Sequence, residues 1–185
     1  MIWFSSDPHF CHQKDFLWGP RGYADQYEMN RDIIKNWNEQ VQPNDDVYLL
    51  GDIMLNDNEE GLKCLKALKG RIHIVLGNHD SKARAELYRS CRNVVEVERA
   101  IPLKAEGYTF YLTHYPTLTD NFDEENHKPL ENRVINLCGH SHTKDKFKDM
   151  NKGLIYHVEF DAHDNAPVDI KTVIYDIKKY IERKR

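Results

Sequence analysis

The chain has 185 residues, with 40% hydrophobic and 30% charged side chains and a formal net charge of −4. That balance excludes a disordered chain and fits a single domain over residues 1–185, long enough to bury a core. It also excludes a chain-wide electrostatic trap for nucleic acid.

No apolar run is long enough to span a bilayer, so no membrane partner is expected. The opening Met1-Ile2-Trp3-Phe4 is too short for a secretory leader and has no basic flank, which makes the cytoplasm the default compartment. Cys11, Cys64, Cys91 and Cys138 are scattered without a CxxC pair, which points to buried thiols and away from a disulfide framework or zinc finger. The one basic cluster, Lys178-Lys179 with Arg183-Lys184-Arg185, suits a cationic last helical turn. No specific nucleic-acid binding is expected from it.

In chain order, Ile2 to Phe4 reads as a short buried strand, and Gly19 to Gln26 as a surface loop. Met29, Ile33, Ile34, Trp37 and Val41 share one helical face. Val47 to Leu50 is a strand, and Leu62, Leu65 and Leu68 mark a helix stopped by Gly70. Ile72 to Leu76 is a strand, followed by a helix carrying Ala83 and Leu87, for which Ser81 and Asp80 compete as cap. Ile101 to Leu103 and Tyr108 to Leu112 flank Glu106-Gly107 as a hairpin. Thr119 to Glu131 is polar, without periodicity, and reads as a surface loop. Val134 to Cys138, Ile155 to Phe160 and Thr172 to Tyr175 read as later strands, and Ile177, Tyr180 and Ile181 as a short closing helix. Strands alternating with helices, plus a hairpin, predict an α/β domain with mixed sheets.

Chemistry-bearing residues follow five of these strands. They are Asp7-Pro8-His9, Gly51-Asp52, Gly77-Asn78-His79-Asp80, His114 and Gly139-His140-Ser141-His142. In open α/β sheets the ligand crevice lies outside the carboxyl ends of the strands, so five such loops can converge. Gly51, Gly77 and Gly139 permit sharp turns, and residues two apart in extended chain, such as Asp7/His9 and His140/His142, point the same way. Gly-Asp alone is usually a turn, Asp-x-His alone is weak, and a single His114 reads as structural. Gly-Asn-His-Asp specifies four residues in one place, and the five groups in order are hard to explain by chance.

Taken together these motifs resemble the signature of the calcineurin-like metallophosphoesterases, over about the first three-quarters of the chain. The run Asp7-Pro8-His9-Phe10-Cys11-His12, with Asn36-Trp37-Asn38 and His114-Tyr115-Pro116, is similar to a small bacterial and phage subgroup. The resemblance implies a four-layer α-β-β-α sandwich of two mixed β-sheets flanked by helices. It implies one metal on Asp7, His9, Asp52 and His142, a second on Asp52, Asn78, His114 and His140, and Asp52 as the bridge. A mixed oxygen and imidazole set suits manganese, with iron, zinc, cobalt or nickel as alternatives, better than magnesium or calcium. Two divalent ions outweigh the two ligand carboxylates, so the site attracts a phosphoryl group.

The chemistry expected is hydrolysis of phosphodiesters, and of phosphomonoesters as well, by in-line attack of a metal-bridging hydroxide. His79 is the candidate general acid or transition-state stabiliser, with Asp80 expected to orient it and keep it protonated. Asn78 and His79 are candidate substrate contacts, and so is His12, for which a supporting role behind the ligands is an equal alternative. Trp37, Tyr115 and Phe10 are expected in the core, with base stacking the alternative. His73, His127, His157 and His163 read as structural. The expected partner is a small phosphate ester, a nucleotide among the candidates, and the oligomeric state is open. The competing reading is a catalytically weak scaffold on the same fold, disfavoured because every ligand position and His79 are present.

Overall fold

A computed structural model describes residues 1–119 and 128–184. His127, Arg185 and the middle of the expected 119–131 loop lie outside the described residues. The strands are β1 (Ile2–Ser5), β2 (Asp46–Leu49), β3 (Arg71–Val75), β4 (Val94–Glu98), β5 (Ala100–Ala105), β6 (Tyr108–Thr113), β7 (Val134–Cys138), β8 (Ile155–His157) and β9 (Val168–Asp169). The helices are α1 (Asp15–Trp18), α2 (Gln26–Gln40), α3 (Asn58–Ala67), α4 (Lys82–Arg89) and α5 (Ile170–Lys184). None is long and apolar enough to cross a membrane.

Two mixed sheets flanked by helices result, as expected. One has the order β4-β3-β2-β1-β9 and the other β5-β6-β7-β8. β1 to β4 are parallel and β9 is antiparallel to β1. β5 and β6 form an antiparallel hairpin, and β6, β7 and β8 are parallel.

Strand periodicity divides the core between the two faces of the first sheet. Val47, Leu49, Ile72 and Ile74 pack with Met29, Ile33 and Trp37 of α2 and with Leu65, Ala85 and Tyr88 of α3 and α4. Phe4, Tyr48, Leu50 and Val75 face Phe110, Leu112, Ile135 and Leu137 of the second sheet, and Ile170, Val173 and Ile177 of α5 join them. The rings of Phe4 and Phe110, 6.0 Å apart, mark the contact between sheets. Trp37 and Phe10 are fully buried, as expected of core residues. Asn36-Trp37-Asn38 serves the fold. The Trp37 indole donates to Lys69 O, Asn38 caps Ala67 O and binds Lys69 N, and Asn36 donates to Asn165 O.

Several expectations need correction. Thr172 to Tyr175 is helical, because Asp169 accepts from Lys171 N at 2.9 Å and Thr172 N at 3.1 Å and so starts α5 there. The strand expected to run to Phe160 ends at His157, and Phe160 opens a 3-10 turn. The edge strand β4 was not visible, since Val94-Val95-Glu96-Val97 lacks a flanking signal of its own. Ser81 caps α4, accepting from Arg84 N at 3.3 Å, while Asp80 is used elsewhere. All four cysteines are free and buried.

Candidate metal centre

The parallel strands β1, β2 and β3 end side by side, and their loops continue as an irregular ladder. Asp7 N donates to Gly51 O at 3.1 Å, His9 N to Asp52 O at 3.1 Å and Phe10 N to Ile53 O at 2.9 Å. Gly51 has φ +92°, and a Cβ there would press on His114 Nδ1 and Gly77 N, so this turn requires glycine. Gly139 admits the loop after β7. A Cβ on it would strike Ser6 Oγ and Asp7 Oδ2.

Two groups of ligand atoms form where these loops meet. Asp7, His9 and His142 make one, and Asp52, His114 and His140 the other, with the ligand atoms inside each group all within 4.8 Å of one another. Asn78 Oδ1 joins the second group, 2.9 Å from His114 Nε2. Asp52 stands between them. Its Oδ2 lies 3.7 Å from His9 Nε2 and 3.5 Å from His114 Nε2, while Oδ1 accepts from His79 N at 2.8 Å. Oδ2 is therefore the Asp52 oxygen that faces both groups.

The set fits divalent cations on its own geometry. Asp7 Oδ1 is buried with no hydrogen-bond donor. A buried anionic oxygen without a donor is costly unless a cation meets it. The rings of His9 and His142 bring their Nε2 atoms to 3.1 Å from each other, an approach that suits two lone pairs sharing one ion. His114 donates through Nδ1 to Leu50 O at 2.8 Å, which turns its Nε2 toward Asp52 and Asn78. His142 uses Nδ1 against Asp161 Oδ2 at 3.2 Å, which frees its Nε2 in the same way.

Electrostatics follow from this crowding. Burial works against the charge on Asp7, yet the nearby His9, His114 and His142 hold its carboxyl well below the usual range. Asp52 is also lowered. Burial opposes its charge and is outweighed by His114. Burial disfavours charge on His114, but its bond to Asp52 and the charge of Asp7 push it up to about 9. Burial and then the adjacent His114 lower His140.

Asp80 takes a role different from the one expected. Its carboxylate accepts from Asp52 N at 2.7 Å, Ile53 N at 3.1 Å, Gly77 N at 2.9 Å and the Tyr88 hydroxyl at 2.7 Å. Four donors saturate it, so it pins the loops after β2 and β3 and does not orient the His79 ring. His79 is held through its main chain instead. Its N–H binds Asp52, and its carbonyl accepts from Arg84 Nη1 at 2.7 Å. Its half-exposed ring places Nε2 3.9 Å from Asp52 Oδ2. His12 is nearly buried, accepts from Lys14 N through Nδ1 at 3.1 Å, and meets His9 edge-on with ring centroids 5.7 Å apart. Burial, then His9, lowers it to about 4. Tyr115 is not a core residue. It is 49% exposed and packs against His140 and His114. His73 and His157 are buried between carboxylates, as structural histidines would be.

Nothing in the sequence singles out Arg21 and Asp161. Arg21 sits in Gly19-Pro20-Arg21-Gly22, inside the expected surface loop, yet is 7% exposed. Its guanidinium binds Asp161 twice, at 3.1 Å and 2.6 Å, and donates to Asp7 O at 2.8 Å. Asp161, in the 3-10 turn after β8, is lowered to about 2. Burial opposes its charge and is outweighed by His142 and then Arg21. The useful signal is three-dimensional, because 140 residues separate the partners.

Residues 2–159 match the model of the calcineurin-like phosphoesterase superfamily domain. The chain belongs to that superfamily. It is similar to the Gene 66 protein of Mycobacterium phage D29, at 30% identity over 96% of this chain and 98% of the phage protein. It is also similar to an uncharacterized protein of Methanocaldococcus jannaschii, at 29% identity over 96% of this chain and 92% of the other. Among solved structures, a protein of unknown function from Aquifex aeolicus shares the fold with TM-score 0.68 at 22% identity, covering 95% of this chain and 98% of that one. A structure described as a novel archaeal phosphodiesterase superposes with TM-score 0.50 at 17% identity, covering 84% and 81%. For this calcineurin-like phosphoesterase, the superfamily implies divalent metal ions and hydrolysis of phosphoesters, and the two groups described above are candidates to hold such ions.

Proposed function

We propose that this protein is a dinuclear metal-dependent phosphoesterase that hydrolyses phosphodiester bonds. The observation that carries the reading is Asp52 Oδ2, placed within 3.7 Å of a histidine from each ligand group. Asp7, His9, Asp52 and His142 would hold one ion, and Asp52, Asn78, His114 and His140 the other. Bound there, two divalent ions supply Lewis acidity toward phosphoryl oxygens and make water acidic enough to attack near neutral pH. Manganese is the ion we favour for this oxygen and imidazole set.

The chain's own residues do the rest. Asp161, itself clamped by Arg21, orients the ring of His142, and Leu50 O orients that of His114, so that the Nε2 atom of each is aimed at the centre. Asp80 fixes the loop that carries Asn78 and His79. His79, beside Asp52 and reachable from solvent, is placed to give a proton to the leaving alkoxide. Ser6, the serine beside a ligand, is buried with its hydroxyl taken up by Asp7 Oδ2 and Leu50 O, so it is not free to attack an ester. His140 and His142 are on the exposed side of the centre, so an ester with a bulky alcohol can approach. Free buried thiols suit a reducing cytoplasm, where we place the protein.

The test is hydrolysis of bis-p-nitrophenyl phosphate by protein reconstituted with manganese, iron, zinc, cobalt or nickel, with bound metal counted by elemental analysis. Turnover with two ions per chain is expected. A folded protein loaded with two ions and inert with every metal would establish the scaffold reading instead.

A further inference from the structure

Two grooves outside the metal centre share a wall. The first, of about 390 Å³, is lined by Tyr115, Leu118, Ser141, Lys148 and Lys152 among others. It begins at the candidate metals, since Ser141 separates His140 from His142 and the Tyr115 ring lies 4.6 Å from that of His140. The second groove, of about 710 Å³, is bounded by Lys148, Phe147, Tyr175, Lys179, Arg183 and Lys184. Lys148 lines both, so the two grooves adjoin and together form a track from beside the metal centre to the C-terminal part of α5.

The track is charged against the rest of the molecule. Lys146, Lys148, Lys152, Lys179, Arg183 and Lys184 line it, against Asp145, Asp149 and Asp176, in a chain whose net charge is −4. Asp176 holds Lys146, Asp149 holds Lys152 and Glu182 lies 3.7 Å from Lys179, while Lys148 is exposed and makes no ion pair among the described residues. Aromatic rings alternate with the cations. Tyr115 is 49% and Tyr175 60% exposed. Lys179 lies 5.7 Å over Tyr175 and Lys184 5.7 Å over Tyr180. The C-terminal cations therefore do more than finish a helix, because the fold sets them opposite Lys146 and Lys148.

We propose that this track binds single-stranded nucleic acid, and that the scissile phosphodiester reaches the metal centre as part of such a strand. The inference rests on the phosphodiesterase reading above. Cations spaced along a groove follow a phosphate backbone, and interleaved exposed rings accept bases whatever their identity. Recognition of this kind reads no base edge, in keeping with a sequence that carries no base-reading motif. A lipid surface would call for a contiguous apolar face, whereas Leu118 is the exposed large aliphatic side chain on the track.

The experiment is fluorescence anisotropy of a labelled ten-nucleotide oligothymidylate with the full chain in EDTA, so that binding is read without turnover. Saturable binding is expected, weakening with salt with a log–log slope of about −2, as three phosphate contacts would give. Lys179→Ala with Arg183→Ala should weaken it at least tenfold and make that slope shallower by about 1.4. Tyr175→Ala should weaken it about tenfold and Tyr175→Phe hardly at all, as stacking requires. Thermal melts check that these exposed positions leave the fold intact. No saturable binding at 20 mM salt (on the order of a low-salt assay) would overturn the proposal. Equal affinity for dextran sulfate with no effect of Tyr175→Ala, tighter binding to phosphatidylserine vesicles, or tighter binding to duplex of the same length would do so as well. Hydrolysis of bis-p-nitrophenyl phosphate by the unaltered protein is measured separately. Its failure removes the enzymatic reading, and failure of the strand to bind removes this one.

Discussion

The two halves of the metal centre are built by different means. On the side of Asp7, His9 and His142, side chains do the positioning. Asp161 orients His142, Arg21 clamps Asp161 and ties Asp7 O, and Ser6 and His140 N hold Asp7 Oδ2. On the side of Asn78, His114 and His140, the main chain orients the ligand side chains, through Leu50 O on His114 and His79 N on Asp52, while Asp80 pins the loops beneath them. A side-chain clamp can be removed by substitution, whereas a carbonyl cannot. The orientation of His142 is therefore open to adjustment by mutation from outside the centre, and that of His114 depends on the strands themselves.

Asp52→Asn should collapse that distinction, because both halves use the residue. Turnover of bis-p-nitrophenyl phosphate should fall by about 10³-fold or more, and bound metal should drop below two per chain. Next, His79→Ala should keep both ions by elemental analysis but lose about 10²–10³-fold in kcat on an alkyl ester, and less on a p-nitrophenyl ester whose leaving group needs no proton. Equal losses on both esters would refute the acid role. Asp161→Ala should then separate the halves, weakening one ion by about 10–100-fold in calorimetric titration and sparing the other. It also leaves Arg21 buried without its partner, at a cost of about 3–5 kcal/mol. Arg21→Met with Asp161→Leu should recover much of that stability without recovering the affinity. If both ions weaken together, the division described here is wrong.

The smallest effect lies behind the first half, where His157 is buried between Glu159 and Asp149, and Glu159 in turn accepts from Thr143 N. Burial opposes charge on His157, but Glu159 and then Asp149 raise its pKa. A raised value in the folded state gives stability that is complete below the unfolded value of about 6.5 and is lost as pH rises through the folded one. The Tm of the metal-free protein should therefore fall as pH rises above neutrality, and His157→Gln should flatten that fall at a lower starting Tm. Parallel curves for the two proteins would show that His157 is neutral in the fold.

Much of this was legible in the sequence where a local rule decides the outcome. The Glu106-Gly107 hairpin was readable because both residues take positive φ, at 52° and 82°, in a turn that demands it. The α2 face was readable from its spacing. The candidate ligands stand out in the sequence because each follows a strand end. What escaped depends on distance or on competition between local signals. Thr172 to Tyr175 has strand-like residues, but the cap at Asp169 and the burial of Val173 and Ile177 make it helical. Asp80 sits beside His79 in sequence, yet Tyr88 and three main-chain amides of the neighbouring loops bind it. Arg21 meets its partner only once the turn after β8 has been placed.

Five residues of the centre, Asp7, His9, Asp52, His140 and His142, adopt positive φ, between 46° and 70°. Non-glycine residues in that region cost on the order of 1–3 kcal/mol each. Glycine at His9, His140 or His142 would relax the backbone while removing a ligand, whereas at Asp7 or Asp52 it would also strip the acceptors of His140 N and His79 N. Selection for thermal stability alone should therefore erode the centre first. Persistence of all five in a lineage is a sign that the chemistry is in use.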